Sequence, residues 1–238
     1  MKLIQLTEVG STNTWLKQHR AELCHGDAVT AFKQTEGRGR MGHVWLDDDG
    51  MLPLSVLLHK PSAPETVTLA AGAAVCAVLA ELVGEEVMIK WPNDIVFRGG
   101  KLCGILCESV CERDSIDIIC GVGVNIAQSA EYFTSMGIPH GCSLMSAAGI
   151  APDRIQLATA LAERIAQYSE RSFSELYNEY KARCITLGRE VRLISGDTER
   201  TAFAEDIAQS GFLICRDENR RFEVNSGEVN VRGLWGYV

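Results

Sequence analysis

The sequence has no tract of consecutive lysines and arginines, no CxxC pair, and no run of roughly 20 apolar residues of the kind that spans a bilayer. Each absence removes a class of function. A protein that grips DNA by neutralising phosphates usually displays a basic face, whereas here 23 Lys and Arg stand against 31 Asp and Glu, a formal charge of −8. No DNA partner is expected. The longest apolar run, Leu69 to Leu82, is interrupted by Glu81 and reads as a buried, alanine-rich helix, so no membrane span is expected either. Met1-Lys2 leads directly into alternating residues with no secretory leader, which makes a cytoplasmic location the expectation. Nine cysteines are present. Cys103, Cys107 and Cys111 recur four apart, and in a strand that spacing puts them on one face with Ile105, as a buried apolar surface would have them. With no histidine close by, zinc is not expected; reduced core thiols are.

What is present describes an ordinary globular chain. Its 238 residues are 46% hydrophobic and 23% charged, enough for one sizeable core with a small appended domain. Strand-like stretches are Lys2–Leu6, Ala28–Gln34, Leu52–His59, Val87–Lys90, Ile95–Phe97, Lys101–Cys111 and Ser115–Val124, with a hairpin turn at Arg113-Asp114. Helices are expected after the capping residues Ser11-Thr12-Asn13, over Glu65 to Val83, from Pro152 to Arg171 with Pro152 in the first turn, and from Phe173 to Cys184. Beyond Leu187 the chain turns to short strands at near-regular spacing: Glu190–Ile194, Arg200–Ile207, Gly211–Arg216, Phe222–Val224 and Glu228–Val231. That texture suggests a small barrel. The fold class expected is therefore α+β, a mixed sheet with helices over residues 1–185, followed by a small β-barrel over 186–238.

Gly37-Arg38-Gly39-Arg40-Met41-Gly42 matches the GxGxxG dinucleotide pattern, but no helix follows it. His43-Val44-Trp45-Leu46 and Asp47-Asp48-Asp49-Gly50 lead to a turn and a strand instead, so the helix N-terminus that would meet a pyrophosphate is missing. Two arginines in a glycine-rich loop suit an anion, because guanidinium stays protonated and forks onto phosphate or carboxylate oxygens; a loop with no ligand is the alternative. Lys90-Trp91-Pro92-Asn93-Asp94 ends a strand in a cation, a rigid turn and two oxygen-bearing side chains, with Pro92 holding Trp91 extended. Lys101 then opens an otherwise apolar strand, where packing does not explain it, and Gly104 within that strand suggests close approach of a ligand or another backbone.

GRGRMGHVW at Gly37–Trp45, KWPND at Lys90–Asp94 and KLCGILCE at Lys101–Glu108 resemble three signatures of the biotin–protein ligases. Ser11-Thr12-Asn13, Gln34 and the GVGVN run of Gly121–Asn125 match in order and spacing too. The resemblance covers the whole chain, in the form lacking an N-terminal DNA-binding domain. It implies a class II synthetase-like catalytic domain and an SH3-like C-terminal barrel. It also implies that ATP and Mg²⁺ activate biotin to biotinyl-5′-AMP, from which biotin passes to a lysine of a carboxylase's biotin carboxyl carrier domain. On this resemblance Lys101, Arg38, Arg40 and Asp94 are the catalytic candidates. Ser11, Thr12, Asn13, Gln34, Gly37, Arg38, Gly39, Arg40, Lys101 and Gly104 would hold biotin. Arg40, Trp45, Lys90, Asn93, Lys101 and Asn125 would face the nucleotide. No protein-only metal site is expected; Mg²⁺ would arrive with ATP near Asn93 or Asp94. Asp94 is either the base for the carrier lysine or a turn cap. The chain departs from the pattern at His43, which replaces a basic residue, and over Asp47–Pro53. Lipoate or octanoate attachment on a related fold is the alternative within enzymes. A biotin-sensing repressor is the alternative outside them, disfavoured by the missing DNA-binding domain. The oligomeric state is left open between monomer and homodimer.

Overall fold

The structure, a computed structural model, describes residues 1–42, 45, 49–112, 115–226 and 230–233. The expected turn at Arg113-Asp114, His43, and Asp47-Asp48 of the departing stretch lie outside the described residues. Seven strands form the larger sheet: β1 (Leu3–Val9), β2 (Ala28–Gln34), β3 (Met51–His59), β4 (Met88–Lys90), β5 (Asp94–Phe97), β6 (Gly100–Glu112) and β7 (Ser115–Asn125). Their spatial order is β1-β2-β3-β7-β6-β5-β4, with β1 and β2 parallel and every other pair antiparallel. β3 has its first eight residues buried, because the centre of the sheet is covered on both faces.

On one face lie the long helices α2 (Val67–Val83), α5 (Arg154–Ser169) and α6 (Phe173–Arg183). They enclose the main core, in which Leu52, Leu54, Val56 and Leu58 of β3 meet Cys120, Val122 and Val124 of β7. On the other face sits α1 (Thr12–His19), whose Leu16 packs with Val29, Leu57 and Ile119 in a smaller cluster. Period-two alternation along β3 and β7 therefore serves two different cores. Helix α1 starts where Ser11 caps it, the serine oxygen accepting from the Thr14 amide. Two short helices escaped the sequence analysis: α3 (Ala130–Ser135) and α4 (Leu144–Ala148), capped by Ser129 and Ser143. The placement of Pro152 in a first helical turn is corrected. Asp153 is the cap of α5, accepting from the Ile155 and Gln156 amides, so the proline stands before the helix. The helical stretch Pro64–Val83 is long and apolar enough to cross a membrane by composition alone, but 72% of its apolar window is buried against this core.

The last strands, β8 (Arg189–Ser195), β9 (Thr198–Ile207), β10 (Leu213–Arg216), β11 (Arg221–Val224) and β12 (Asn230–Gly233), form an antiparallel sheet of the SH3-like kind, in order β11-β10-β9-β8-β12. Trp91 joins the two sheets. Its ring is buried, its Nε1 donates to the Gly211 carbonyl (3.0 Å), and its backbone amide donates to Thr186 Oγ1 (2.9 Å). A Cβ at Gly211 would stand 2.6 Å from Leu69 Cδ1, so the turn sits tight against α2.

All nine cysteines are unpaired. Cys103 and Ile105 are in the main core with Cys107 packed against it, as their shared face suggested; Cys111, further out along β6, is exposed and corrects the expectation of a uniformly buried row. Burial pushes the Cys76 thiol up to about 12 and Cys184 to about 11. Iodoacetamide should therefore modify Cys24 and Cys111 in the native protein, and Cys76, Cys103, Cys120, Cys184 and Cys215 only after unfolding. Peptide mass mapping before and after urea addition checks this; native labelling of Cys103 or Cys120 would contradict the packing described.

Candidate active site

The face of the sheet that carries α1 is bare near the middle. Gly104 on β6 and Gly123 on β7 are direct cross-strand partners, and Gly121 lies two residues before the latter. Without side chains there, other groups reach the backbone. A Cβ at Gly121 would stand 2.4 Å from Asn13 Oδ1, and one at Gly123 2.6 Å from Trp45 Nε1. One at Gly104 would meet the same indole at 2.7 Å. Above this floor is a cavity of about 380 Å³. That is within the range usual for small-molecule sites, roughly 300–1,000 Å³.

One part of the lining is neutral and rich in hydrogen bonds. Gln34 Oε1 accepts from the Thr12 amide (2.9 Å) and from Thr12 Oγ1 (3.1 Å). Ser55, wholly buried on β3, sets its Oγ 2.8 Å from Thr12 Oγ1 and 2.6 Å from Asn13 Oδ1. Arg38 borders this region and donates to Thr14 Oγ1 (2.9 Å).

Another part of the lining is charged. Lys101 Nζ is 2.5 Å from Asp94 Oδ1 and 5.2 Å from the centre of the Trp45 ring. The backbone of Lys101 is pinned as well, its amide donating to the His140 carbonyl (2.6 Å) and its carbonyl accepting from the Cys142 amide (3.0 Å). Arg40 donates to Asn93 Oδ1 (2.8 Å) and to the carbonyl of Ser226, so the glycine-rich loop reaches both the Lys90–Asp94 turn and the C-terminal sheet. Burial lowers the pKa of Arg40 while nearby Asp94 opposes the shift, and guanidinium this basic stays charged throughout. Asn93 is tied in turn to the Ile105 carbonyl by its Nδ2 (3.0 Å). The Trp91–Pro92 bond is cis. Buried Lys90 completes the charged wall.

Of the site residues expected from sequence, Ser11, Thr12, Asn13, Gln34, Arg38, Gly39, Arg40, Trp45, Lys90, Asn93, Asp94, Lys101, Gly104 and Asn125 line this one cavity. Gly37 stands behind it: a Cβ there would be 2.9 Å from Gln34 Nε2 and closer still to the Trp45 carbonyl. Asn125 spends its Nδ2 on the carbonyls of Cys142 (3.0 Å) and Lys101 (3.3 Å). Sequence reasoning missed Gln128 ahead of α3, Tyr132 and Phe133 within it, and Val231 of the C-terminal sheet, while Met51 and Pro53 on β3 fall in the departing Asp47–Pro53 stretch, whose part of the pocket it left open. Ser129 as a cap was the available signal for α3; nothing local announces Val231. Among the described residues no cluster of three His, Cys, Asp or Glu could hold a metal ion, and Asp94 is the one carboxylate in the cavity lining.

Residues 5–125 match the Biotin/lipoate A/B protein ligase family and residues 186–232 the Biotin protein ligase C terminal domain. The chain is 34% identical over 239 residues to the Biotin--[acetyl-CoA-carboxylase] ligase of Mycobacterium tuberculosis, covering 94% of this chain and 86% of that protein. It is 32% identical to the Bifunctional ligase/repressor BirA of Escherichia coli, with coverage of 95% and 73%. Among solved structures, the biotin protein ligase from Aquifex aeolicus in complex with biotin and ATP aligns with a TM-score of 0.81 at 29% identity, covering 98% of this chain and 99% of that one.

A methyl group at Gly123 would collide with the Trp45 indole, so Gly123→Ala should lift that ring off the floor. Acrylamide quenching of tryptophan fluorescence is expected to rise in this variant, and to stay at its reference level when Gly123→Ala is made in a Trp45→Phe background. A rise in both backgrounds would mean that another tryptophan had moved.

Proposed function

Since the chain belongs to the Biotin/lipoate A/B protein ligase family, we propose that it works as an ATP-dependent biotin–protein ligase acting on the carrier domain of a carboxylase. The observation that carries this reading is a cavity that has both a neutral, hydrogen-bonding wall and a cationic one. Biotin has that polarity, a ureido head and a carboxylate tail. The dithiolane head of lipoate offers neither an N–H nor a carbonyl to the polar groups of Thr12, Asn13 and Gln34, so it gains no hydrogen bond from that wall.

In the first step an oxygen of the biotin carboxylate attacks the α-phosphorus of ATP, and pyrophosphate leaves. Two anions must approach, so fixed positive charge in a water-poor site supplies much of the rate. Lys101 is the bridging cation between carboxylate and α-phosphate, held in place beforehand by Asp94. Arg38 and Arg40 close the glycine-rich loop over the acid and the phosphates, and Gly37, Gly39 and Gly104 give them room. Trp45, Lys90, Asn93 and Asn125 face the nucleotide. Among the described residues Asp94 is the one carboxylate of the lining and it is paired with Lys101; Mg²⁺ would come with ATP, near Asn93 or Asp94.

In the second step the carrier lysine attacks the acyl carbon and AMP leaves. With a pKa near 10.4 that lysine is neutral only about once in 2,500 at pH 7. Asp94 takes its proton in this reading. Residues 1–185 form the catalytic unit, and 186–238 a small unit that completes it. The setting is cytoplasmic, where ATP is at hand and thiols stay reduced.

Lys101→Ala should abolish adenylate formation while leaving the fold intact. Biotin-driven exchange of pyrophosphate into ATP measures it, with lipoate run in parallel; near-normal exchange in the variant removes Lys101 from its role. Exchange with lipoate and none with biotin overturns the choice of acid.

Arg40→Gly should convert a selective enzyme into a leaky one. A charge-assisted hydrogen bond contributes about 1.5–3 kcal/mol, so adenylate should escape about 10- to 150-fold faster. Escaped adenylate acylates lysines on bystander proteins. Incubation with biotin, ATP and serum albumin, followed by streptavidin blotting, reads this directly. Unlabelled albumin while adenylate is still being made would show that Arg40 is no latch.

A further inference from the structure

Glu108 has no place in the cavity lining, yet its carboxylate touches two residues that do. It stands two residues beyond Leu106 on β6 and so on the same face. Its Oε2 accepts from Asn13 Nδ2 at 2.7 Å and lies 3.5 Å from Arg38 Nη2, while its Oε1 accepts from Lys17 Nζ at 2.7 Å. The Leu106 carbonyl takes a second bond from Asn13 Nδ2, at 3.3 Å. From these contacts we propose that Glu108 is a positioning residue, which fixes the amide orientation of Asn13 and restrains Arg38 through one shared carboxylate oxygen.

The argument turns on what a carboxylate can and cannot do. A side-chain amide has two orientations of nearly equal shape, distinguished only by its partners. An ionised carboxylate only accepts, so it compels Nδ2 to face it. Asn13 then presents Oδ1, an acceptor, beside Gly121 and Ser55. A ligand seated there must offer an N–H, as a urea does. Burial pushes the Glu108 carboxyl up, but the hydrogen bonds from Lys17 and Asn13 and the charges of Lys17 and Arg38 outweigh it, so the group stays ionised below its usual range. The same oxygen holds Arg38 beside Thr14, at the border of the polar wall.

This inference rests on the reading of the cavity as the biotin site, and the test separates the two. Pyrophosphate exchange is first run on the wild type with biotin and with lipoate; no exchange with biotin sinks that reading whatever Glu108 does. KM for each substrate is then compared in Glu108→Gln and Glu108→Ala. Loss of one charge-assisted hydrogen bond predicts a KM for biotin about 10- to 150-fold higher in Glu108→Ala. Glu108→Gln keeps an acceptor and should restore most of that, leaving a rise of about 3- to 10-fold. In both, kcat at saturating biotin and KM for ATP should stay within about twofold of wild type, because Arg38 keeps its closer bond to Thr14 when Glu108 is replaced, and general loosening of the fold would not produce that split. An unchanged KM for biotin in Glu108→Gln overturns the proposal, even if Glu108→Ala fails to fold. So does a parallel rise in both KM values.

Discussion

A patch of sheet without side chains governs how the rest of the site is built. Gly104, Gly121 and Gly123 leave the backbone of β6 and β7 open just where α1 and the glycine-rich loop come down on it. Asn13 rests on one end of this patch and the Trp45 indole on the other. Any larger residue would shift one of them by more than packed surroundings tolerate. The polar wall and the cationic wall are thus referenced to the same two strands, which is how groups from distant stretches of chain keep a common geometry.

Charge in the cavity is balanced locally. Lys101 faces Asp94, Arg40 is desolvated beside the same carboxylate, and Arg38 leans towards Glu108. Without a ligand these cations are held by neighbours of opposite sign or by carbonyls. An arriving anion would exchange with those partners and need no side chain brought from afar, so little reorganisation would be required at the moment of reaction. Removing one member of such a pair leaves the other buried and uncompensated, which is why changes here should be felt more strongly than changes in the exposed ion pairs of the C-terminal sheet.

Much of this was legible in the sequence, for identifiable reasons. The central strands were found within a residue or two because they are short apolar runs bounded by turn residues, and α2 because it is a long alanine-rich run broken by charge only at Glu81. Lys101 stood out as a charge that packing could not explain. Helices α3 and α4 were not found, since six and five residues are too few to show a period and only their capping serines signalled them. Pro152 misled because proline is as much at home before a cap as after it. Ser55 gave no sign at all: its role depends on α1 lying over β3, a tertiary fact. Nor does any motif announce that Glu108 would touch Asn13, Lys17 and Arg38 together, or that Trp91 would reach Gly211.

That last contact, with the bond from Arg40 to Ser226 and the presence of Val231 in the cavity lining, bears on how the molecule comes into being. A chain leaving the ribosome exposes α1, the glycine-rich loop and Lys101 long before residues 211 to 231 have been made. Through that interval the polar groups for one substrate already exist, while the loop has no distant carbonyl to fasten to. A nascent chain therefore carries an unfinished vessel, and a reactive mixed anhydride formed in it would have no closed wall behind which to wait. With closure tied to residues 211 to 231, translation through that stretch would become a condition for containing the intermediate.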